Sequence, residues 1–185
     1  GVKHPHIVDI TDVGVEGTVP FLVMEYLVGV DLAAHLAEVG AISEEQMADL
    51  LLPIAAGLGF AHDAGVVHRD IKPSNIFLAR SPDGSVVPKL LDFGIAKSSL
   101  PDVREAGMQT ATGQIIGTPM FMAPEAFDGA RYATERSDQY SLGLVMYQCL
   151  TGRSPFSEQT SLSRLRAVAT GRLRPLRSLR PSLSR

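Results

Sequence analysis

The chain has 185 residues, of which 45% are hydrophobic and 20% charged, and its formal net charge is −3. These values are typical of one soluble globular domain with a hydrophobic core, and they exclude a largely disordered protein. The histidines do not group with the single cysteine, Cys149, at zinc-ligand spacing, and one cysteine cannot form an internal disulfide. Cys149 lies in an apolar run, so we expect a buried structural thiol. No membrane segment is evident in this chain, and we expect a cytoplasmic protein.

Charge is distributed unevenly along the chain. Residues 1–163 carry 10 basic and 20 acidic side chains, whereas residues 164–185 carry seven arginines and no acidic residue. Such a basic tail can contact nucleic acid or an acidic surface. Here it has no aromatic residue to stack on bases, and prolines interrupt any long helix. We therefore expect a solvated connector and no nucleic-acid binding. Both ends of the sequence, Gly1 and Arg185, look like cuts.

Short β-rich runs separated by glycine and proline open the chain. They predict two antiparallel strands, near residues 7–15 and 20–26. A short helix follows and should end at Gly40. At the start of the next helix, Ser43 and Gln46 predict a capping box. The apolar residues of that helix recur at helical spacing and predict a buried stripe, formed by Met47, Leu50, Leu51, Ile54 and Leu58.

Two further β-rich runs flank the sequence SPDGS, in which Asp83 and Gly84 predict a tight hairpin turn. If the hairpin is centred between these two residues, Asn75 lies opposite Asp92 at its open end. Carboxylate and amide oxygens side by side are suited to Mg²⁺, which completes its shell with water or phosphate oxygens. On its own, this pair could equally consist of ordinary strand-end residues.

The loop that leads into this hairpin carries a carboxylate and a lysine. Pro73 prevents a continuous helix there, so Asp70 and Lys72 lie on a loop that can approach the metal pair. A carboxylate in that place can accept the proton of an alcohol, and a lysine can neutralise charge on a phosphoryl group in transfer. The residues therefore predict phosphoryl-transfer chemistry.

The run from residue 137 to 151 is apolar nearly all round and predicts a central, buried helix. Asp138 is a charged residue within it, and a buried charge without partners is costly.

Five segments in order resemble the eukaryotic-type (Hanks-type) serine/threonine protein kinases, in their bacterial branch. The segments are FLVMEYLVGVDL (21–32), HRDIKPSN (68–75), DFG (92–94), GTPMFMAPE (117–125) and SDQYSLGLVMYQCLTGRSPF (137–156). They cover nearly the whole chain. The resemblance implies an α+β, protein-kinase-like fold, with a mostly helical C-lobe that includes a small β-hairpin, and two strands of an incomplete N-lobe.

The resemblance also divides the chain. It implies an N-lobe remnant at residues 1–26, a hinge at 27–32 and a C-lobe at 33–185 that is incomplete at its C-terminus. Within the C-lobe it implies three named parts: a catalytic loop at 66–78, an activation segment at 92–125 and a central helix at 137–151.

The implied activity is the transfer of the γ-phosphate of ATP, with Mg²⁺, to Ser/Thr hydroxyls of protein substrates. Asp70 would deprotonate the substrate hydroxyl, and Lys72 would contact the γ-phosphate. Asn75 and Asp92 would hold Mg²⁺. Met24 would be the gatekeeper of the nucleotide pocket, and the backbone of Glu25 and Leu27 would bind adenine. Asp31 would face the ribose, and Phe77 would form the floor under the adenine.

Regulation is implied by Arg69, which directly precedes the catalytic aspartate. A phosphothreonine in the activation segment could bind this arginine. Thr110 and Thr112 are the candidate sites, although both could be ordinary loop threonines. A dimer would allow one copy to phosphorylate the other.

Supporting roles are implied for six further residues. Thr118 would bond to the catalytic loop, Glu125 would pair with a late arginine for which the sequence offers no safe match, and Asp138 would accept backbone N–H bonds from the catalytic loop. The remaining three would form a stacked column between the lobes, namely Ile10, His68 and Phe93.

The sequence contains no glycine-rich loop, no phosphate-binding lysine and no helix with that lysine's glutamate, although these precede the matched segments in the family. We therefore expect these 185 residues alone to bind ATP weakly and to be weakly active or inactive. One alternative is a pseudokinase-like scaffold, against which the intact acidic and basic set argues. Another is a small-molecule phosphotransferase, against which the long activation segment argues. Bacterial relatives often continue into a membrane span, so the whole protein could be membrane-tethered.

Overall fold

The computed structural model describes residues 3–92, 120–129, 132–156, 167–168, 170–171 and 173–183. Within these ranges the strands are β1 (Ile10–Glu16), β2 (Val19–Met24), β3 (Gly29–Asp31), β4 (Ile76–Arg80) and β5 (Val86–Leu90). The α-helices are α1 (Leu32–Val39), α2 (Glu44–Asp63), α3 (Glu135–Thr151) and α4 (Leu176–Leu179). Two 3₁₀ turns lie at Pro73–Asn75 and Pro124–Asp128. The predicted α+β class is confirmed. Of the helices searched in these ranges, none has the length and apolar character needed to cross a membrane.

The first sheet is an antiparallel hairpin of β1 and β2. Both predicted strands are confirmed, although their ends differ from the predicted ones. Ile10 pairs with Met24 at the open end of the hairpin. Much of the hairpin's apolar surface is exposed, including the side chains of Val13, Val15, Val19, Phe21 and Val23.

The second sheet has the order β3-β4-β5 and is antiparallel throughout. β3 was not predicted from the sequence, and it has only three residues. Gly29 opens it with φ at +151°, and a Cβ at this position would lie 2.1 Å from the carbonyl oxygen of Leu78. Only glycine lets β3 approach β4 this closely.

The predicted register of the β4–β5 hairpin is wrong by one residue. Its turn has three residues, because Ser81 N–H donates to Ser85 C=O at 2.9 Å and Gly84 N–H donates to Ser81 C=O at 2.9 Å. Gly84 has φ at +85°, as a three-residue hairpin loop requires. Asn75 therefore lies opposite Leu91, whose N–H donates to the Asn75 C=O at 2.8 Å. Asp92 is the next residue.

The helices follow the sequence pattern. The capping box is confirmed, since Ser43 Oγ accepts the N–H of Gln46 at 3.0 Å and Gln46 Oε1 accepts the N–H of Ser43 at 3.0 Å. Gly40 is the C-cap of α1. Along the predicted stripe of α2, Leu51, Ile54 and Leu58 are buried, and Met47 and Leu50 pack against the core they form.

The main core lies between α2, α3 and the second sheet. α3 begins at Glu135, slightly before the predicted start, and most of its apolar residues are buried as expected. Cys149 is in this core, and burial raises the pKa of its thiol to about 12. This confirms the prediction of a structural thiol, because the thiolate is absent at neutral pH.

Candidate active site

Asp138 anchors the loop that precedes β4. It lies in the first turn of α3 and is 1% exposed. Its Oδ2 accepts the N–H of His68 at 2.8 Å, and its Oδ1 accepts the N–H of Arg69 at 2.8 Å. The Nε2 of His62, in the last turn of α2, lies 2.8 Å from the same Oδ2. These contacts compensate for the burial of a carboxylate, which would otherwise be costly.

His68 joins this loop to the end of β5. Its ring is buried, with Nε2 lying 2.7 Å from the carbonyl oxygen of Leu91. Its Nδ1 accepts the N–H of Asp70 at 3.2 Å. One nitrogen must therefore donate and the other accept, which is the pattern of neutral histidine. Burial lowers the pKa of His68, against the opposing effects of its bond to Leu91 and of nearby carboxylates.

A pH dependence of stability follows from this lowered pKa. The unfolded chain protonates His68 near pH 6.5, whereas the folded chain resists protonation until a lower pH. The stabilisation is thus complete above about pH 6.5 and is lost as the pH falls towards the folded-state pKa. We expect the free energy of unfolding, measured by urea titration, to decrease between about pH 7 and pH 5.

The His68→Gln variant should flatten this pH dependence. His4 is the matched control, because its pKa is also lowered by burial and by His6, but its side chain is less enclosed. His4→Gln should flatten the curve less. An unchanged slope in His68→Gln would contradict the assignment of a neutral, buried His68.

Asp70, Lys72 and Asn75 form one hydrogen-bonded group after His68. Lys72 Nζ donates to Asp70 Oδ2 at 2.8 Å. Asn75 Nδ2 donates to the Asp70 carbonyl oxygen at 2.8 Å and to Asp70 Oδ2 at 3.2 Å. Pro73 starts the 3₁₀ turn that makes this possible, with Asn75 N–H donating to Lys72 C=O at 3.0 Å. The Asp70 side chain is 36% exposed and therefore reachable from solvent.

Asp92 is held beside this group through its neighbour. The N–H of Leu91 donates to the Asn75 carbonyl oxygen, and the Leu91 carbonyl oxygen lies within hydrogen-bond distance of His68 Nε2. The backbone directly before Asp92 is therefore fixed. Asp92 and Arg69 are the non-glycine residues with positive φ in the described chain, at +53° and +68°. Such conformations are costly and cluster at functional sites. The arrangement brings the four predicted reaction residues to one end of the β4–β5 hairpin.

The donor set fits a hard cation that also binds phosphate. The hydrogen bonds described for the Asn75 side chain use Nδ2, which leaves Oδ1 as a ligand. Asp92 is exposed, so its carboxylate is accessible. No group of three or more His, Cys, Asp or Glu side chains suited to a metal occurs among the described residues. Two protein oxygens completed by water and phosphate are what Mg²⁺ prefers.

The residues predicted to hold the nucleotide lie around the second sheet. Asp31 pairs with Phe77 across β3 and β4, and Phe77 pairs with Lys89 across β4 and β5. These three residues therefore form one row on one face of the sheet. Asp31 is also the N-cap of α1, where its Oδ1 accepts the N–H of Ala34 at 2.9 Å. Ribose contact by Asp31 stays a prediction.

Met24, Glu25 and Leu27 lead from β2 towards this row. Met24 ends β2 opposite Ile10 and is 41% exposed, and Leu27 is half-buried. The Glu25 side chain lies 2.6 Å from Lys89 Nζ. The backbone contacts predicted for Glu25 and Leu27 stay predictions.

The supporting residues are only partly described. Ser137 Oγ donates to Glu125 Oε1 at 2.6 Å, so Glu125 has a hydroxyl partner at the start of α3. Phe93, Thr110, Thr112 and Thr118 lie outside the described residues. The stacked column of Ile10, His68 and Phe93 therefore stays a prediction.

Two residues that contact the candidate site were not identified from the sequence. His62 was not singled out, although its position four residues after Leu58 places it on the buried side of α2, facing the helix that carries Asp138. Lys89 was not singled out either, because a lysine in a short strand carries no signal of its own. The buried charge of Asp138 was the available clue to His62, since it required partners.

Comparison with known proteins gives a consistent result. Residues 1–179 match the model of the protein kinase domain. The serine/threonine-protein kinases pkn2 and Pkn1 of Myxococcus xanthus are each 39% identical to this chain over 184 residues, which are 100% and 99% of it and 22% and 25% of the relatives. The serine/threonine-protein kinase PknL of Mycobacterium tuberculosis is 41% identical over 157 residues, 85% of this chain and 37% of the relative. The chain thus spans 22% to 37% of the length of these relatives. It belongs to the protein kinase domain family, in its bacterial serine/threonine branch.

Proposed function

We propose that this chain carries the phosphoryl-transfer centre of an ATP-dependent protein serine/threonine kinase. The observation that supports this most strongly is the group around Asp70. Lys72 and Asn75 bond directly to Asp70, and His68 and Leu91 connect it to Asp92. A structural role alone would not require two strained residues beside an accessible carboxylate and lysine.

Each member of the group has a proposed part. The described bonds to the Asp70 carboxylate use Oδ2, which leaves Oδ1 to accept the proton of a substrate hydroxyl. Lys72 would neutralise charge on the γ-phosphate, and its bond to Asp70 keeps both side chains in place. Asn75 Oδ1 and the Asp92 carboxylate would hold Mg²⁺, which when bound neutralises phosphate charge and orients the phosphates.

The nucleotide would lie over Phe77, with Asp31 beside it in the same row of the sheet. Phe77 is half-buried, so one face of its ring can support adenine. Glu25 and Leu27 would offer backbone groups to the adenine edge, and Met24 would limit the depth of the pocket. Protein Ser/Thr side chains as substrates, a cytoplasmic location and a dimer for mutual phosphorylation belong to this proposal.

Arg69 supports a proposed control by phosphorylation. Its Nε is buried and has no hydrogen-bond partner within the described part of the chain. A phosphorylated Thr110 or Thr112 would supply an anionic partner, because a phosphate can form charge-assisted bonds with a guanidinium group. No observation favours the scaffold alternative, since the proposed base, the phosphate-neutralising lysine and the metal-binding residues are all present.

The test is a radiolabelled phosphate-transfer assay on a general protein substrate, with phosphoamino-acid analysis of the product. The 185 residues are assayed alone and as a chimera, in which the glycine-rich loop, lysine and glutamate helix of a protein kinase domain that has all three precede Gly1. We expect label on serine and threonine from the chimera and little or none from the chain alone. A chimera that folds and binds ATP but transfers no label would contradict the proposal.

A further inference from the structure

The ion pair of Glu25 and Lys89 has no role in the function described so far. Glu25 follows the last residue of β2 and Lys89 lies in β5, so the pair joins the two sheets. The Glu25 Oε1 and Lys89 Nζ atoms are 2.6 Å apart, and the side chains are 30% and 17% exposed. A close pair that is largely sheltered is screened less by solvent than a surface pair.

The Glu25 carboxylate has a second partner in the chain just before β1. The same Oε1 accepts the N–H of Asp9 at 2.9 Å, and the N–H of Glu25 donates to the Asp9 carbonyl at 3.0 Å. Burial would raise the pKa of Glu25, but the bonds from Lys89 and Asp9 outweigh it and the pKa lies below its ordinary value. Glu25 is thus a charged bridge between the chain before β1 and strand β5.

The pairing of β4 with β5 places Lys89 next to the proposed nucleotide site. It is directly opposite Phe77, the proposed adenine floor. Side chains directly opposite in antiparallel strands lie on the same face of the sheet. The ion pair therefore links the strands below the adenine to the segment whose backbone would bind the adenine edge.

We propose that Glu25 and Lys89 are positioning residues that hold this backbone segment at a fixed separation from Phe77 and thereby set the affinity for adenine. The inference rests on the proposed function and adds a role for two side chains that the reaction itself does not use. A site that is already ordered binds more tightly, because less conformational freedom is lost on binding. Breaking the pair should weaken contacts to adenine and leave contacts to phosphate unaffected.

The experiment separates the two ends of the nucleotide. Adenosine and magnesium tripolyphosphate are titrated separately into the 185-residue chain, and the dissociation constants are measured by NMR. We expect Lys89→Met to weaken adenosine binding roughly fivefold, with tripolyphosphate binding unchanged. Lys89→Arg, which keeps the charge, should restore most of the affinity.

Lys3→Met is the matched control. Lys3, Glu25 and Lys89 line one cleft of about 390 Å³. The Lys3 side chain is 80% exposed, however, and its Nζ lies 3.7 Å from Asp9 Oδ2. It should leave both affinities unchanged. Equal weakening of both ligands by Lys89→Met would indicate a general loss of structure and overturn the inference, as would unchanged or tighter adenosine binding. If the unsubstituted chain does not bind adenosine, the inference fails, whereas the proposed function is decided separately by phosphate transfer in the chimera.

Discussion

Replacement of Asp138 by alanine is expected to destabilise the protein by about 3–5 kcal/mol, because it removes the acceptor of buried donors. The N–H groups of His68 and Arg69 both bond to this carboxylate, and His62 contacts it from α2. Removing one partner of a buried polar network leaves the others unsatisfied, which costs more than the net contribution of the bonds themselves. A loss of this size is a large part of the stability of a typical domain, about 5–15 kcal/mol.

Urea unfolding and amide hydrogen exchange measure this effect. The amides of His68 and Arg69 should lose their protection in Asp138→Ala, and Asp138→Asn should lie between the alanine variant and the parent because it keeps one acceptor oxygen. Gln139→Ala, at the exposed neighbouring position of α3, is the control and should change stability little. Full protection of both amides in a folded Asp138→Ala would show that another group holds the loop.

The second large effect is expected at Asp70. In the chimera that carries the added N-terminal kinase elements, Asp70→Asn should slow phosphate transfer by about 10²–10⁴-fold, the typical value of general base catalysis. Asparagine still accepts the bond from Lys72, so the loop should keep its conformation. The dissociation constant for ATP should therefore change little.

Rates from single-turnover experiments separate this chemical step from nucleotide binding. Asp83→Asn is the control, because Asp83 lies in the exposed turn of the hairpin, where its Oδ1 accepts hydrogen bonds from Ser85. It should leave the rate unchanged. Transfer at an undiminished rate by Asp70→Asn would remove Asp70 from its proposed role as base.

Local features of this fold could be predicted from the sequence because their determinants are local. The capping box of Ser43 and Gln46 involves residues three apart, and the buried face of α2 follows from helical spacing. The grouping of Asp70, Lys72 and Asn75 follows from Pro73, which excludes a continuous helix and brings all three into one short turn.

The register of the β4–β5 hairpin could not be predicted from local sequence alone. It depends on whether the turn has two or three residues, and Asp83-Gly84 is compatible with either. The three-residue loop places Leu91 opposite Asn75 and Asp92 one position further on. Asp92 is nevertheless near the group, because the bond from His68 to the Leu91 carbonyl fixes the chain at that point. That bond joins residues far apart in the sequence and leaves no local pattern.

Contacts that long side chains make between different strands and helices could also not be predicted from the sequence. Lys89 reaches Glu25 across 64 positions, and His62 reaches Asp138 across 76. β3 is too short to show a strand pattern, and its pairing depends on the missing side chain of Gly29. In each case the structure is decided by tertiary packing and not by local preference.

In the proposed function, Asn75 and Asp92 hold the magnesium that accompanies ATP. The most direct test of this role is calorimetric titration of ATP into the 185-residue chain, with Mg²⁺ and with EDTA, for the parent and for Asp92→Asn. We expect the parent to bind weakly but about tenfold more tightly with Mg²⁺, equivalent to ~1.4 kcal/mol, and Asp92→Asn to lose this difference. Binding that responds equally to Mg²⁺ in both proteins would contradict the account.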